Sequence, residues 1–155
     1  MKVLVKHIKG MHFQGEGSTK VMTNIDTSVT AGGTGHGTNP MELLLMAIAG
    51  CSGMDIVSIL EKMRVKIQRF ETIVEGERAS DHPRVFKDIE VVYKFWGESL
   101  SEDKLQRAAQ LSMEKYCSVA NMIDKAANLT YRIEINPTLG WAHQKRTRAL
   151  NKLLF

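Results

Sequence analysis

The feature that most constrains this chain is a long, almost wholly apolar helical segment that runs from Met41 to about Met63. Apolar side chains extend nearly all round its first three turns, which predicts a helix that is buried on most sides. Further on, apolar residues recur every three or four positions, so we expect the helix to emerge from the core. Gly50 and Gly53 bracket Cys51. Because each glycine costs about 1 kcal/mol in a helix interior relative to Ala, this pair indicates close approach by another element or a ligand.

The segment in front of this helix indicates where the helix begins. Residues 31–38, AGGTGHGT, are rich in glycine, but a phosphate-binding loop also needs a Lys and a Ser or Thr after its last glycine. Here Thr38, Asn39 and Pro40 follow Gly37. We therefore predict a flexible entry to the helix, with Thr38 or Asn39 as the cap and Pro40 in the first turn, where its missing N–H costs nothing.

The remaining periodicities predict an α+β fold. Alternating residues at 2–8 predict a strand, and residues 12–25 predict one or two further strands of a meander. We expect Phe13, Val21 and Met22 to point inward. The later elements are a hairpin, two helices and a closing strand, predicted at Val65–Glu77, Val85–Trp96, Ser101–Cys117, about Val119–Ala127 and Leu129–Ile135.

Size and composition fit a single globular domain. The chain has 155 residues and a mass of 17.4 kDa, and its 43% hydrophobic and 25% charged residues exclude a disordered or low-complexity protein. We predict one domain over residues 1–137 and a C-terminal tail over residues 138–155. The start, MKVLVKHIKG, lacks an apolar core, so we expect no secretory signal, no membrane association and a cytoplasmic location.

The net charge of +4 does not indicate a nucleic-acid binder. Of the 21 Lys and Arg residues, four lie in residues 141–155, which contain no acidic residue, and the other 17 balance all 17 acidic residues. A nucleic-acid-binding domain carries its excess charge on the folded surface. The basic residues of the tail are Lys145, Arg146, Arg148 and Lys152.

Two cysteines, Cys51 and Cys117, are too few for a disulfide scaffold. They are either inert buried side chains or a redox pair, whose bond in a reducing cytosol would be transient or catalytic. Cys51 lies too deep in its helix to gain from the helix dipole, whereas Cys117 is better placed if it caps the next helix. The five histidines show no metal-binding spacing, so we predict no metal and no cofactor. They are His7, His12, His36, His82 and His143.

Two motifs together make the chain resemble a known family. TNPMELLLMAIAGCSGMDIVSIL, followed some sixty residues later by MEKYCSVANMI, is similar to the paired cysteine motifs of the OsmC-like and organic hydroperoxide resistance superfamily. The order of predicted elements matches over residues 1–137. The resemblance implies a two-layer OsmC-like fold and an intertwined homodimer with two sites at the subunit interface.

The resemblance also implies a chemistry. In its peroxidase members the first cysteine attacks the peroxide and the second resolves the product, which assigns these roles to Cys51 and Cys117. The substrates implied are organic hydroperoxides and, less well, hydrogen peroxide, and the reductant is an external thiol or a lipoylated protein. Glu42 stands closest to the partner glutamate of the family. Those members also use an N-terminal Arg, whereas the first Arg here is Arg64, which leaves Lys9, Lys20, His12 and His36 as candidate substitutes.

A second hypothesis is a non-catalytic OsmC-like protein that binds a small apolar ligand. Nine methionines supply adaptable side chains, and an interface pocket is the predicted site. The two hypotheses differ in whether Cys51 reacts catalytically with a peroxide. The pocket residues predicted are Met41, Leu45, Met46, Met54 and Met122.

Overall fold

The structure, a computed structural model, describes residues 1–138. They form two compact units, one over Met1–Met46 and a second that begins at Ala47. The predicted single domain over residues 1–137 stays a prediction. The predicted tail over residues 138–155 lies, except for its first residue, outside the described residues.

The first unit contains the predicted meander. Its three antiparallel strands pair in chain order and are β1 (Leu4–Lys9), β2 (His12–Glu16) and β3 (Met22–Ile25). The expected inward positions of Val21 and Met22 are wrong, because these side chains are 70% and 47% exposed. Within Met1–Met46 only Gly15 and Asp26 are buried, since three short strands supply too little surface to enclose a core.

One carboxylate organises the glycine-rich loop. Asp26 accepts hydrogen bonds from the Thr34 hydroxyl and from the backbone N–H groups of Thr27, Thr34 and His36. These bonds, that from the Thr34 hydroxyl first, hold the pKa of Asp26 well below its usual range. Gly33 packs so closely that a Cβ there would lie 2.2 Å from Thr27 O. The loop is therefore tied to Asp26, and the flexibility expected of this entry stays a prediction.

The long helix, α1 (Pro40–Lys62), begins as predicted. Asn39 caps it, since its Oδ1 accepts a hydrogen bond from Met41 N at 2.9 Å. Asn39 N in turn donates to the Glu42 carboxylate at 3.2 Å. This reciprocal pair is a capping box, which satisfies two backbone donors of the first turn. Pro40 occupies the first helical position.

Within one chain, α1 is not buried on most sides, so that expectation is wrong. Leu44, Met46 and Met54 are 44%, 57% and 71% exposed. The buried residues of α1 are Ile48, Ser52, Gly53, Ile56 and Leu60. By length and composition alone α1 is apolar enough to cross a membrane, and 22% of its most apolar stretch is buried within the chain. Core helices of soluble proteins pass the same test.

The second unit packs helices on one face of a three-stranded sheet. Its strands are β4 (Arg69–Arg78), β5 (Phe86–Trp96) and β6 (Asn128–Ile135). The central strand β5 runs antiparallel to β4 and parallel to β6. Its alternate residues Ile89, Val91, Tyr93 and Phe95 are almost fully buried. These elements give the predicted two-layer α+β architecture, with the core between sheet and helices.

Several boundaries of the later elements differ from those predicted. The helix predicted over Ser101–Cys117 ends at Leu111 as α2 (Glu102–Leu111), and a π-helical turn (Ser112–Tyr116) then leads into α3 (Ser118–Ile123). Predicted to extend to Ala127, α3 ends at Ile123, whose carbonyl accepts from Ala126 N and Ala127 N in a closing turn. Strand β4 begins four residues later than predicted, because Val65 N still bonds to Leu60 O in the turn that ends α1.

Candidate active site

The structure brings the two cysteines together in the second unit. Cys51 lies on α1, and Cys117 follows the π-helical turn and precedes α3. Their sulfur atoms and one carboxylate oxygen of Asp55 all lie within 4.8 Å of one another. Three groups with redox, acid–base or metal-binding chemistry therefore share one site.

The two thiols have different surroundings. Cys51 is half-buried, whereas Cys117 is fully buried. Cys117 caps α3, since its Sγ accepts a hydrogen bond from Ala120 N at 3.3 Å. Burial raises the pKa of Cys117 to about 11, because the hydrogen bond from Ala120 offsets only part of the cost of a buried thiolate and the neighbouring Cys51 adds to the shift. Cys117 is therefore a neutral thiol near pH 7.

Asp55 and Ser112 complete the site, and neither residue was predicted from the sequence. The Ser112 hydroxyl lies 3.2 Å from Ser52 O and 3.3 Å from Asp55 Oδ2, so these two oxygens share its proton. A Cys-x-x-x-Asp spacing places Cys51 and Asp55 on one side of a helix, and this signal was available in the sequence. Ser112 reaches the site from a π-helical turn, whose extra residue breaks the 3.6-residue period.

Aromatic side chains of the sheet pack under this part of α1. Phe70 stacks on Phe95 with ring centroids 4.9 Å apart, and its Cε1 lies 3.3 Å from where a Cβ on Gly53 would be. The close approach predicted for both glycines is thus confirmed at Gly53 and wrong at Gly50, where a Cβ would meet no described residue within 4 Å. Tyr93 donates to Met113 Sδ at 3.0 Å, and burial raises the pKa of its hydroxyl far above the usual value, so Tyr93 stays neutral.

An apolar groove runs along α1 next to β4. It has a volume of about 450 Å³ and is lined chiefly by Ala49, Gly50, Gly53, Met54, Val57 and Phe70. Of the five residues predicted to form a ligand pocket, only Met54 lines it. Met122 is 64% exposed, and Met41, Leu45 and Met46 belong to the first unit. Two polar residues, Ser58 and Glu61, complete the lining, and the groove is wide open to solvent.

Glu42 and the candidate cations belong to the first unit, whereas both thiols belong to the second. The exposed Glu42 carboxylate closes the capping box at Asn39. Among the candidates, Lys20 pairs with Glu16 at 3.5 Å. His12 and His36 hydrogen-bond to Asn24 and Thr34. The role of each toward Cys51 stays a prediction.

Comparisons with known proteins agree with this fold. Residues 33–132 match the family model described as OsmC-like protein. Protein YhfA of Escherichia coli K12 is 38% identical over 136 residues, which are 87% of this chain and 98% of that protein. A crystal structure from Aquifex aeolicus VF5, 30% identical, superposes with a TM-score of 0.74 over 88% of this chain and 97% of that one.

A more distant structure shows the fold alone. An organic hydroperoxide resistance protein OsmC from Legionella pneumophila superposes with a TM-score of 0.63. Its identity is 16%, and the match covers 86% of this chain and 97% of that one. The two-layer arrangement therefore extends to relatives with little sequence in common.

Proposed function

The chain belongs to the OsmC-like protein family, and we propose that it is a cytoplasmic thiol-dependent peroxidase. Its substrates are organic hydroperoxides and, less well, hydrogen peroxide, and its role is defence against oxidative stress. One observation supports this most directly: the sulfur atoms of Cys51 and Cys117, each on its own element, lie within 4.8 Å of one another. No other cysteine is present in the sequence.

In the first step, Cys51 as thiolate attacks the distal oxygen of the hydroperoxide. The O–O bond breaks, the alcohol leaves after taking a proton, and Cys51 becomes a sulfenic acid. The difference in burial supports this order, because Cys51 is half-buried and open to a substrate whereas Cys117 has no exposed surface. The raised pKa of Cys117 agrees with a second, resolving role.

In the second step, Cys117 attacks the Cys51 sulfur, a disulfide forms and water leaves. The two sulfurs, now within 4.8 Å of each other, must approach to about 2.05 Å. The carboxylate of Asp55, within the same 4.8 Å, accepts the proton that Cys117 loses. An external dithiol, such as a lipoyl group, then reduces the disulfide by exchange. One hydroperoxide and one dithiol are consumed, and alcohol, water and oxidised dithiol are formed.

Glu42 is included in the proposed site on the family resemblance, as the acid nearest the position of the partner glutamate. Its hydrogen bond to Asn39 N is a capping contact at the start of α1. Such a contact fixes the side chain near the helix N-terminus, where the dipole favours a negative charge. A cationic partner from the N-terminal region takes the place of the missing Arg in this proposal.

The proposal includes a homodimer in which a second copy covers the open face of α1. The exposed apolar residues Leu44, Met46 and Met54 are a costly surface for a monomer. We expect sedimentation at micromolar concentration to give twice the chain mass of 17.4 kDa. Replacing Met54 with Lys places a charge on this surface and should shift the protein toward monomer, while Lys62→Gln, on the same helix, serves as the control. A wild-type monomer at that concentration would contradict the dimer.

The groove along α1 favours one other function, binding of an apolar small molecule without turnover. The two functions separate in a coupled assay of the reduced protein with cumene hydroperoxide or hydrogen peroxide, using dithiothreitol and dihydrolipoamide in turn. The peroxidase predicts catalytic consumption that is faster with cumene hydroperoxide. If the protein consumes hydroperoxide no faster than an equal concentration of free thiol, the peroxidase is contradicted and the binding protein is favoured.

A further inference from the structure

The three donor atoms at the site also form a set that suits a metal ion. We infer that the reduced protein binds one Zn²⁺ per chain through the sulfurs of Cys51 and Cys117 and a carboxylate oxygen of Asp55. This inference goes beyond peroxide turnover and does not depend on it. The spacing of cysteines and histidines along the sequence gave no sign of such a site, because the ligands come from two separate elements.

The geometry supports this donor set. Tetrahedral zinc has Zn–S distances of about 2.3 Å and Zn–O distances of about 2.0–2.2 Å, which put neighbouring donors roughly 3.5–3.8 Å apart. The three donors here already lie within 4.8 Å of one another, so each pair has to close by at most about 1.3 Å to reach these separations. Cys51 and Asp55 are one helical turn apart on α1, a rigid arrangement that fixes two ligands relative to each other. Since Cys51 is half-buried, solvent supplies the fourth ligand.

Neighbouring groups already orient two of the three donors. The Ser112 hydroxyl lies 3.3 Å from Asp55 Oδ2, and Ala120 N donates to the Cys117 sulfur at 3.3 Å. Hydrogen bonds of this kind hold metal ligands in place in known sites and increase affinity. Each leaves a lone pair of its acceptor free for the ion. Both contacts would thus remain in the metal-bound state.

The chemistry favours a thiophilic ion over calcium or magnesium. Zinc accepts soft thiolates together with a carboxylate oxygen, whereas calcium and magnesium prefer oxygen ligands alone. Binding releases the protons of both thiols, so two thiolates and a carboxylate face a divalent cation. A disulfide between Cys51 and Cys117 removes two of the three ligands. Zinc binding and the oxidised state therefore exclude each other.

The test uses Co²⁺ as the probe, followed by displacement with Zn²⁺. The full chain is reduced with a phosphine, stripped with a chelator and desalted before titration. We expect one Co²⁺ per chain, with a thiolate-to-cobalt charge-transfer band and the intense visible bands of tetrahedral cobalt, all lost on addition of Zn²⁺. Protein oxidised to the disulfide should bind neither ion. No peroxide is present, so failure of the peroxidase proposal leaves this result unaffected, and the reverse also holds.

Variants separate this site from adventitious binding. Cys51→Ser and Cys117→Ser should each lose most of the charge-transfer intensity, and Asp55→Asn should weaken binding at least about tenfold. Asp81→Asn, the same substitution at an exposed loop position, is the matched control and should bind as wild type does. A six-coordinate cobalt spectrum, bound cobalt that survives Cys51→Ser, or unchanged affinity in Asp55→Asn would overturn the proposal.

Discussion

Cys51→Ser should abolish turnover of cumene hydroperoxide, while Cys117→Ser should leave a single reaction per chain. A serine hydroxyl is not ionised near neutral pH and does not replace a thiolate as the nucleophile. With Cys51 removed, the remaining thiol is still fully buried, and burial is the main cause of its raised pKa, so Cys117 does not take over. We expect consumption by Cys51→Ser to equal that of buffer with reductant alone.

The Cys117→Ser variant tests the second half of the cycle. Cys51 still reacts with one equivalent of hydroperoxide, but no thiol lies beside it to form the disulfide. The sulfenic acid should then accumulate, react with dimedone, and oxidise further to sulfinic acid in excess peroxide. Mass spectrometry of the intact chain distinguishes these products from the disulfide that wild type should form.

Ser80→Ala is the control for both variants, since Ser80 is exposed in the loop between β4 and β5 and lies outside the thiol cluster and the groove. It should consume hydroperoxide as wild type does. Equal, slow consumption by wild type and both cysteine variants would contradict the peroxidase. Dimedone labelling at Cys117 in place of Cys51 would reverse the proposed order of the thiols.

The secondary structure could be predicted from the sequence wherever a few adjacent residues determine it. Asn39 and Pro40 place the start of α1 correctly, because capping depends on a few adjacent residues. The hairpin was predicted because β-branched and aromatic residues alternate along both strands. Boundaries failed where a turn extended a neighbouring element, as at Val65, whose N–H still belongs to the end of α1.

Burial was predicted less well, because it depends on what covers each surface. The apolar composition of α1 indicates that its sides avoid water, but not which sides the chain itself covers. Val21 failed for the same reason, since it lies in a unit with almost no buried residues. The family resemblance paired Cys51 with Cys117. The structure added Asp55, which could have been predicted, because residues four apart in a helix lie on the same side.

Phe95→Ala should have the largest effect on stability, because Phe95 is fully buried on the central strand and stacks on Phe70. Removing a buried phenyl ring costs about 3–5 kcal/mol, a large share of the roughly 5–15 kcal/mol that stabilises a typical domain. At about 2–4 °C per kcal/mol for a protein of this size, the Tm should fall by at least about 6 °C. Thermal unfolding followed by circular dichroism measures this.

Tyr116→Ala is the matched aromatic control, because Tyr116 is 51% exposed at the end of the π-helical turn. Loss of an exposed ring should change stability by less than about 0.5 kcal/mol. Phe95 lies under the Phe70 ring that contacts Gly53, two residues after Cys51, so its loss should also loosen the support of the thiol site. We therefore expect faster alkylation of the buried Cys117 in Phe95→Ala below its Tm. Equal stability of the two variants would show that the contact between the sheet and α1 does not form the core.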